Sequence, residues 1–314
     1  MTGQPLFIIG CPRSGTTLLL DLLAGTRAFG YVTTSGARRD VDESLHARTR
    51  IYDAPFGEHL YARRAQILGA SARLGPVHRV ARRLLPSAIE PWEFWEDLIP
   101  TFRPEFGTGD PIDPPAGGLD AATIDRTRAV VDDLLARQQR SVLLSKYTDF
   151  PRVDLMRAIF PRARFVHIRR DAHAVANSYA VEIESGRFGT WAYRDWWSRG
   201  WSPDARDHWQ ASGATVLGFA AHNRNALVTM IDAATAADPN VHTVTYERLA
   251  ADPVATLTGI LDFAEVGSRS DLDRLCASRR VANTNDRWRD RRTPEEARLL
   301  DEILLDAPAA VEAP

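Results

Sequence analysis

Residues 7–23, FIIGCPRSGTTLLLDLL, constrain the fold more than any other stretch of the chain. Leu6 to Ile9 is a short apolar run that stops at Gly10, and Thr16 to Ala24 is helical in composition, with Gly25 placed as its C-cap. A strand buried on both faces reads as such a continuous run, so the segment predicts strand, loop, helix. Gly10 to Thr17 reads G-x-x-x-x-G-T-T, one residue from the Walker pattern G-x-x-x-x-G-K-[ST], with Thr16 where the lysine belongs. Glycines let backbone N–H groups curl around an anion, and the start of a helix adds partial positive charge, so an anion site is expected. The missing lysine removes the cation that triphosphate chemistry places over the β and γ phosphates. Arg13 offers a cation elsewhere in the loop, one that forks two oxygens at once.

Cys11 suggests a cysteine phosphatase loop, but the position where that loop needs arginine is Thr17, so the reading fails and Cys11 is expected to be a small buried residue. The other cysteine, Cys276, has no metal-type spacing to it, which indicates neither a disulfide framework nor a zinc site and suits a reducing cytoplasm. With 314 residues, 44% of them hydrophobic and 25% charged, the chain can bury a sizeable core. A formal net charge of -2 gives no global pull toward nucleic acid, although Arg79, Arg82 and Arg83 make a local basic patch. The apolar runs are too short to span a bilayer and no signal-peptide pattern opens the chain, so no stable membrane insertion is expected.

Further β-like runs fall at 29–33, 141–145, 164–168 and 241–245, separated by helical patterns, which implies a parallel sheet with right-handed crossovers. Residues 37–95 are arginine-rich and helical, and those around Arg63 to Arg83 suit solvent, a partner or anionic lipid. Residues 100–118 are dense in proline and glycine and read as a long loop or lid. Helices are expected over 120–139 and 149–160. Trp191, Trp196, Trp197 and Trp201 form a cluster that suits an acceptor pocket or core packing equally.

The stretch FPRARFVHIRRDAHAVANSY, 160–179, repeats strand then helix. Arg170 falls at the strand end, Asp171 is placed as N-cap, and Ser178 lies about two turns in, about 10 Å along the helix, within reach of an anion shared with the arginine. The alternative is an arginine paired with Asp171 and a serine bonded within its own helix. Two anion sites at the C-terminal edge of one parallel sheet suit a nucleotide with phosphates at both the 5′ and 3′ positions, and the ligand-binding edge of such sheets lies there.

With both segments in view, the chain resembles the sulfotransferases that use 3′-phosphoadenosine 5′-phosphosulfate (PAPS). GCPRSGTTLL is similar to their 5′-phosphosulfate loop in its bacterial, arginine-bearing form, and FVHIRRDAHAVANSY to the strand and helix holding the 3′-phosphate. Weaker similarity covers LLSKYTDFPRVDLMRAIFP, VTYERLAADPVATLTGILDF and NTNDRWRDRRTPEE. The resemblance implies a single P-loop-like, three-layer α/β domain over 1–314, with a parallel sheet of about five strands and acceptor-side inserts at about 37–120 and 182–210. It also implies transfer of a sulfuryl group from PAPS to a hydroxyl, less readily an amine, of a small molecule, without a metal, leaving the 3′,5′-bisphosphate PAP.

On this resemblance Arg13 and Lys146 hold the sulfonate and the leaving oxygen. Ser14, Gly15, Thr16 and Thr17 hold the 5′-phosphate, and Arg170 and Ser178 the 3′-phosphate. Arg287 or Arg289 adds a cation, and Trp288 packs on the adenine. The acceptor needs a base within hydrogen-bond reach. Glu93, then Glu90, in IEPWEFWEDLIP are favoured, with His46 and His59 as alternatives. TTSGARRDVDES lacks the glutamate that tyrosylprotein sulfotransferases carry there, which counts against protein tyrosine as acceptor. The rival readings are a P-loop kinase or NTPase and a non-catalytic nucleotide-binding protein. Oligomeric state is left open.

Overall fold

The computed structural model describes residues 4–33, 43–102, 118–186, 194–279 and 281–305. Five strands, β1 (Leu6–Ile9), β2 (Gly30–Tyr31), β3 (Leu143–Lys146), β4 (Arg164–Arg169) and β5 (Val241–Thr245), form an all-parallel sheet in the order β2-β3-β1-β4-β5. All five fall on the apolar runs read from the sequence. β1 lies at the centre, with Ile8 opposite Lys146 of β3 and Ile9 opposite His167 of β4. That register brings the ends of β3, β1 and β4 side by side.

The alternation of side chains along a strand sorts the sheet into two apolar faces. Leu6, Ile8, Leu144, Val166 and Ile168 face α1 (Thr16–Gly25), and the same core continues through later helices of the chain. Phe7, Ile9, Leu143 and Phe165 face α4 (Trp92–Leu98), α5 (Ala121–Gln138) and α6 (Val153–Ile159). Helices on both faces make the three layers of an α/β fold. Between α1 and α4 stand α2 (Gly57–Ser71) and α3 (Gly75–Leu84). Trp95 is fully buried against Phe7 and its indole N–H donates to Ser145 Oγ at 3.1 Å, which seats α4 on the sheet. Truncating such a side chain to alanine costs about 3–5 kcal/mol.

Beyond the sheet, α7 (Ala172–Glu184) packs on α10 (Val216–Thr235) and α14 (Pro294–Leu305), with the short α8 (Arg194–Trp197) and α9 (Pro203–Ala211) beside them. Trp197 and Trp201 belong to this core, Trp197 stacked on Phe150 at 5.5 Å and Trp201 edge-on to Trp209 at 5.7 Å. Trp191 and the Trp196 side chain lie outside the described residues, as do 34–42 and most of the proline-rich stretch, 103–117. The fold closes with α11 (Tyr246–Ala251), α12 (Pro253–Phe263) and α13 (Leu272–Arg279) on the α1 side.

Two local expectations are corrected. Gly25 is not a C-cap but the last residue of α1, where a Cβ would sit 2.7 Å from both Leu275 and Tyr61, and Arg27, two residues on, takes the left-handed conformation with φ 57°. Close packing of three helices, not a turn, requires that glycine. The helix expected over 149–160 begins at Val153, because the fully buried Arg152, left-handed at φ 45°, ties Asp149, the Phe150 carbonyl and the Phe102 carbonyl into a knot ahead of it.

Candidate functional site

The loop leaving β1 is shaped by two glycines for different reasons. A Cβ at Gly10 would lie 2.7 Å from the Ile168 carbonyl oxygen, so only glycine lets the ends of β1 and β4 come together. Gly15 is left-handed at φ 101°, and a Cβ there would meet the Tyr246 ring at 2.8 Å. Between them Ser14, buried, donates from Oγ to the Cys11 carbonyl at 2.7 Å and closes the turn. Arg13 is left-handed at φ 74°, a conformation that costs a non-glycine residue about 1–3 kcal/mol. Burial pushes the Cys11 thiol up to about 12, so it packs as a neutral side chain.

The helix that follows is built to leave donors open. α5, α7, α10 and α12 each start on an Asp or Thr side chain that accepts a backbone N–H. α1 starts on Gly15, with no side-chain cap and no acidic residue in its first turn. Its first N–H groups therefore retain capacity for an anion.

Lys146 and Arg170 stand against this loop and helix start, and Arg13 reaches from the loop to α7. Arg13 donates from Nε to Ser178 Oγ at 3.0 Å, and its guanidinium lies 3.3 Å from Glu182, one turn further along α7. Lys146, at the end of β3 and nearly buried, donates to Thr17 Oγ1 at 2.9 Å and pairs with Glu90 at 2.9 Å. Arg170, just past β4, donates to the Arg13 carbonyl at 3.1 Å, to Thr284 Oγ1 at 2.9 Å and to Asn285 Oδ1 at 2.9 Å. Its guanidinium lies over the Tyr246 ring, 4.2 Å from the centroid. Burial pulls Arg170 below its ordinary value, the mark of a cation short of water. Asp171 caps α7 through Ala174 N at 2.8 Å, as the sequence reading placed it.

Glu90 arrives here through contacts that no local pattern announces. Ala88 bridges Thr33 beyond β2, Ile89 N donates to the Val32 carbonyl at 3.3 Å, and Glu90 Oε1 accepts from Thr148 N at 2.6 Å and Thr148 Oγ1 at 2.7 Å. Its other carboxylate oxygen faces Lys146. Glu93, three residues on, is exposed on α4, and His59 is exposed on α2. The His46 side chain lies outside the described residues.

The loop at 283–292 is placed partly as expected. Arg287 and Arg289 are exposed near the α7 start, while Trp288 is buried and stacks on His173 at 4.8 Å, with the Arg289 guanidinium 4.7 Å from its ring centroid. The arginine that reaches α7 is Arg292, whose Nε donates to Asn177 Oδ1 at 2.7 Å. Sequence reading missed it, and also missed Tyr246 and Glu247, although both stand in the quoted VTYERL. Tyr246 wedges against Gly15 and donates to the Ala282 carbonyl at 2.7 Å. Glu247 accepts from Asp171 N at 2.9 Å and Asn285 Nδ2 at 2.5 Å, which fastens β5 to both loops. Among the described residues no group of three or more His, Cys, Asp or Glu side chains is placed to hold a metal.

A sequence profile described as the sulfotransferase family matches residues 5–270. Among solved structures, the fold is similar to sulfotransferase STF9 from Mycobacterium avium, with 16% identity and TM-score 0.51, over 98% of this chain and 76% of that one. It is similar as well to sulfotransferase STF1 from Mycobacterium tuberculosis H37Rv, with 16% identity and TM-score 0.51, over 97% of this chain and 77% of that one. No curated protein matches the chain.

Proposed function

The chain belongs to the sulfotransferase family, and from that premise we propose that it transfers a sulfuryl group from PAPS to a hydroxyl of a small-molecule acceptor by in-line displacement. The observation that carries the reading is that Lys146 and Arg170 bond the loop and first turn of an uncapped helix at the ends of three adjacent strands, while Arg13 reaches from that loop to Ser178. This donor set fits a nucleotide with anionic groups at both ends of its ribose. When bound, PAPS supplies a sulfuryl group already activated by a phosphate leaving group.

In this reading the N–H groups of Ser14 to Thr17, with the Thr16 and Thr17 hydroxyls, hold the 5′-phosphate. Arg170 and Ser178 hold the 3′-phosphate, helped by Arg287 or Arg289, and Trp288 borders the adenine. Arg13 and Lys146 hold the sulfonate and meet the charge that grows on the departing oxygen. Positioning and charge stabilisation are the main work in such a transfer, and removing one donor commonly costs about a hundredfold or more.

Glu90 is proposed as the general base ahead of Glu93, since its carboxylate already faces Lys146 within the cradle. Lys146 turning toward the leaving oxygen frees Glu90 to take the hydroxyl proton as the new O–S bond forms and the bond from sulfur to the departing phosphate oxygen breaks. The inserts at about 37–120 and 182–210, within a single domain over 1–314, supply the acceptor side.

A thermal-shift panel of PAP, AMP, ATP and GTP, without metal, tests the reading. A ligand at a hundred times its Kd stabilises the native state by about 2.7 kcal/mol. PAP is expected to outshift AMP, and Arg170→Ala to abolish that difference. A larger shift with ATP or GTP than with PAP would overturn the reading in favour of a kinase or NTPase.

A further inference from the structure

Of the seven large apolar side chains that stand exposed among the described residues, six, Phe56, Ile67, Leu74, Val77, Val80 and Leu84, fall between 56 and 84. Four of them belong to one surface: Leu74, Val77, Val80 and Leu84 are 53–57% exposed, and not one residue of α3 is buried. At 100° per residue these four and Ala81 span about 120° of the helix, an apolar stripe of the width that normally faces a core. Here it faces outward. Arg79, Arg82 and Arg83 lie on the opposite side of the same helix. The helix is held at its margins, by His78 Nδ1 within 3.0 Å of Ser71 Oγ and by Arg48 donating to the Arg83 carbonyl at 3.3 Å.

The charge around it is one-sided. From His59 to Ile89 the chain has no Asp or Glu, yet six arginines, 63, 64, 73, 79, 82 and 83, in a protein whose formal net charge is -2. Arg64 is buried against Asp21, and the other five are exposed. An exposed apolar stripe with arginines on the reverse face is the pattern of a helix lying in a lipid interface, where the apolar face enters the acyl boundary and the long guanidinium side chains reach headgroups.

We propose that α3 and its flanks dock this protein on an anionic phospholipid surface, as a peripheral contact that spans nothing. No helix among the described residues is long and apolar enough to cross a membrane. A second copy on a two-fold axis fits poorly, because an isologous contact sets this arginine cluster against itself. Glu90 stands six residues beyond Leu84 at the end of the patch, so the docked helix and the segment that enters the site are neighbours in the chain. The inference is independent of the sulfuryl-transfer reading, since docking is measured without donor or acceptor.

Co-sedimentation with vesicles tests it, comparing phosphatidylcholine alone with a mixture containing about a third phosphatidylglycerol. The wild type is expected to pellet with the acidic vesicles only, and to be released as salt screens the charge. Each arginine near such a surface adds about fivefold, so Arg79→Gln, Arg82→Gln and Arg83→Gln together weaken binding about a hundredfold. Val77→Ser with Val80→Ser weakens it about tenfold or more. All five positions are exposed, and a thermal melt matching wild type checks that each variant is folded. Absence of wild-type binding to acidic vesicles overturns the proposal, as does equal binding by the arginine variant. A concentration-dependent dimer that the valine variant abolishes, without vesicle binding, assigns the face to a second copy instead.

Discussion

The two sides of the proposed site are assembled in different ways. On the donor side, Arg13, Lys146 and Arg170 stand within a few residues of the C-terminal ends of β1, β3 and β4, Thr17 lies in the first turn of the helix after β1, and strand pairing sets the segments that carry them side by side. On the acceptor side, Glu90 belongs to no strand or helix and reaches Lys146 through an isolated bridge, one backbone hydrogen bond and Thr148. A site set by sheet register tolerates change in its surroundings, whereas one set by scattered contacts is where acceptor choice is free to vary. The exposed α3 lies just ahead of Glu90 and belongs with that second kind of region.

The strongest way to break this division is at the two glutamates. Glu90→Gln is expected to lower kcat by about a hundredfold or more while the PAP thermal shift persists, and Glu93→Gln to change turnover by about twofold or less. Equal losses at both positions, read by steady-state turnover, would place the base elsewhere. On the donor side, Arg170→Ala is expected to cost about 1.5–3 kcal/mol of PAP affinity, the range for a hydrogen bond to a charged group, while Arg289→Ala costs less. Isothermal titration of both variants checks that order.

Smaller effects probe the scaffold beneath the donor side. Gly15→Ala forces a side chain at φ 101° against Tyr246, which costs about 1–3 kcal/mol and lowers Tm by about 2–4 °C for each kcal/mol. A Tm equal to wild type would show that the loop relaxes. A further effect, confined to acid, is on stability through His167 of β4. Burial holds its imidazole down to about 3, so it stays neutral when folded but takes a proton below about 6.5 when unfolded. Stability is therefore unaffected above about pH 6.5 and falls with acid between there and about 3, by at most about 1.4 kcal/mol per pH unit. Melting curves over that range, steeper for wild type than for His167→Gln, check the sign.

Legibility in the sequence followed the same division. The strands, the loop glycines and the Asp171 cap could be read because each lies in a continuous stretch whose periodicity or turn chemistry is local, and the cations proposed for the donor stand in those same stretches. Gly25 was misread because packing against Leu275 and Tyr61, rather than a turn, requires it. Tyr246, Glu247 and Arg292 were missed because their partners lie far along the chain. The tryptophan cluster carried no local sign of its role, and the structure puts Trp197 and Trp201 in the core.

By itself, then, the sequence determined a parallel α/β sheet with a glycine-shaped loop at its C-terminal edge, since backbone geometry and apolar periodicity act over a few residues at a time. Only the tertiary structure decided that Glu90 and not Glu93 faces Lys146, that Tyr246 braces Gly15 and Arg170, and that the stripe of α3 remains uncovered by any described residue. Those outcomes depend on which distant surfaces meet, and burial and long-range hydrogen bonds exist only once the chain has closed on itself.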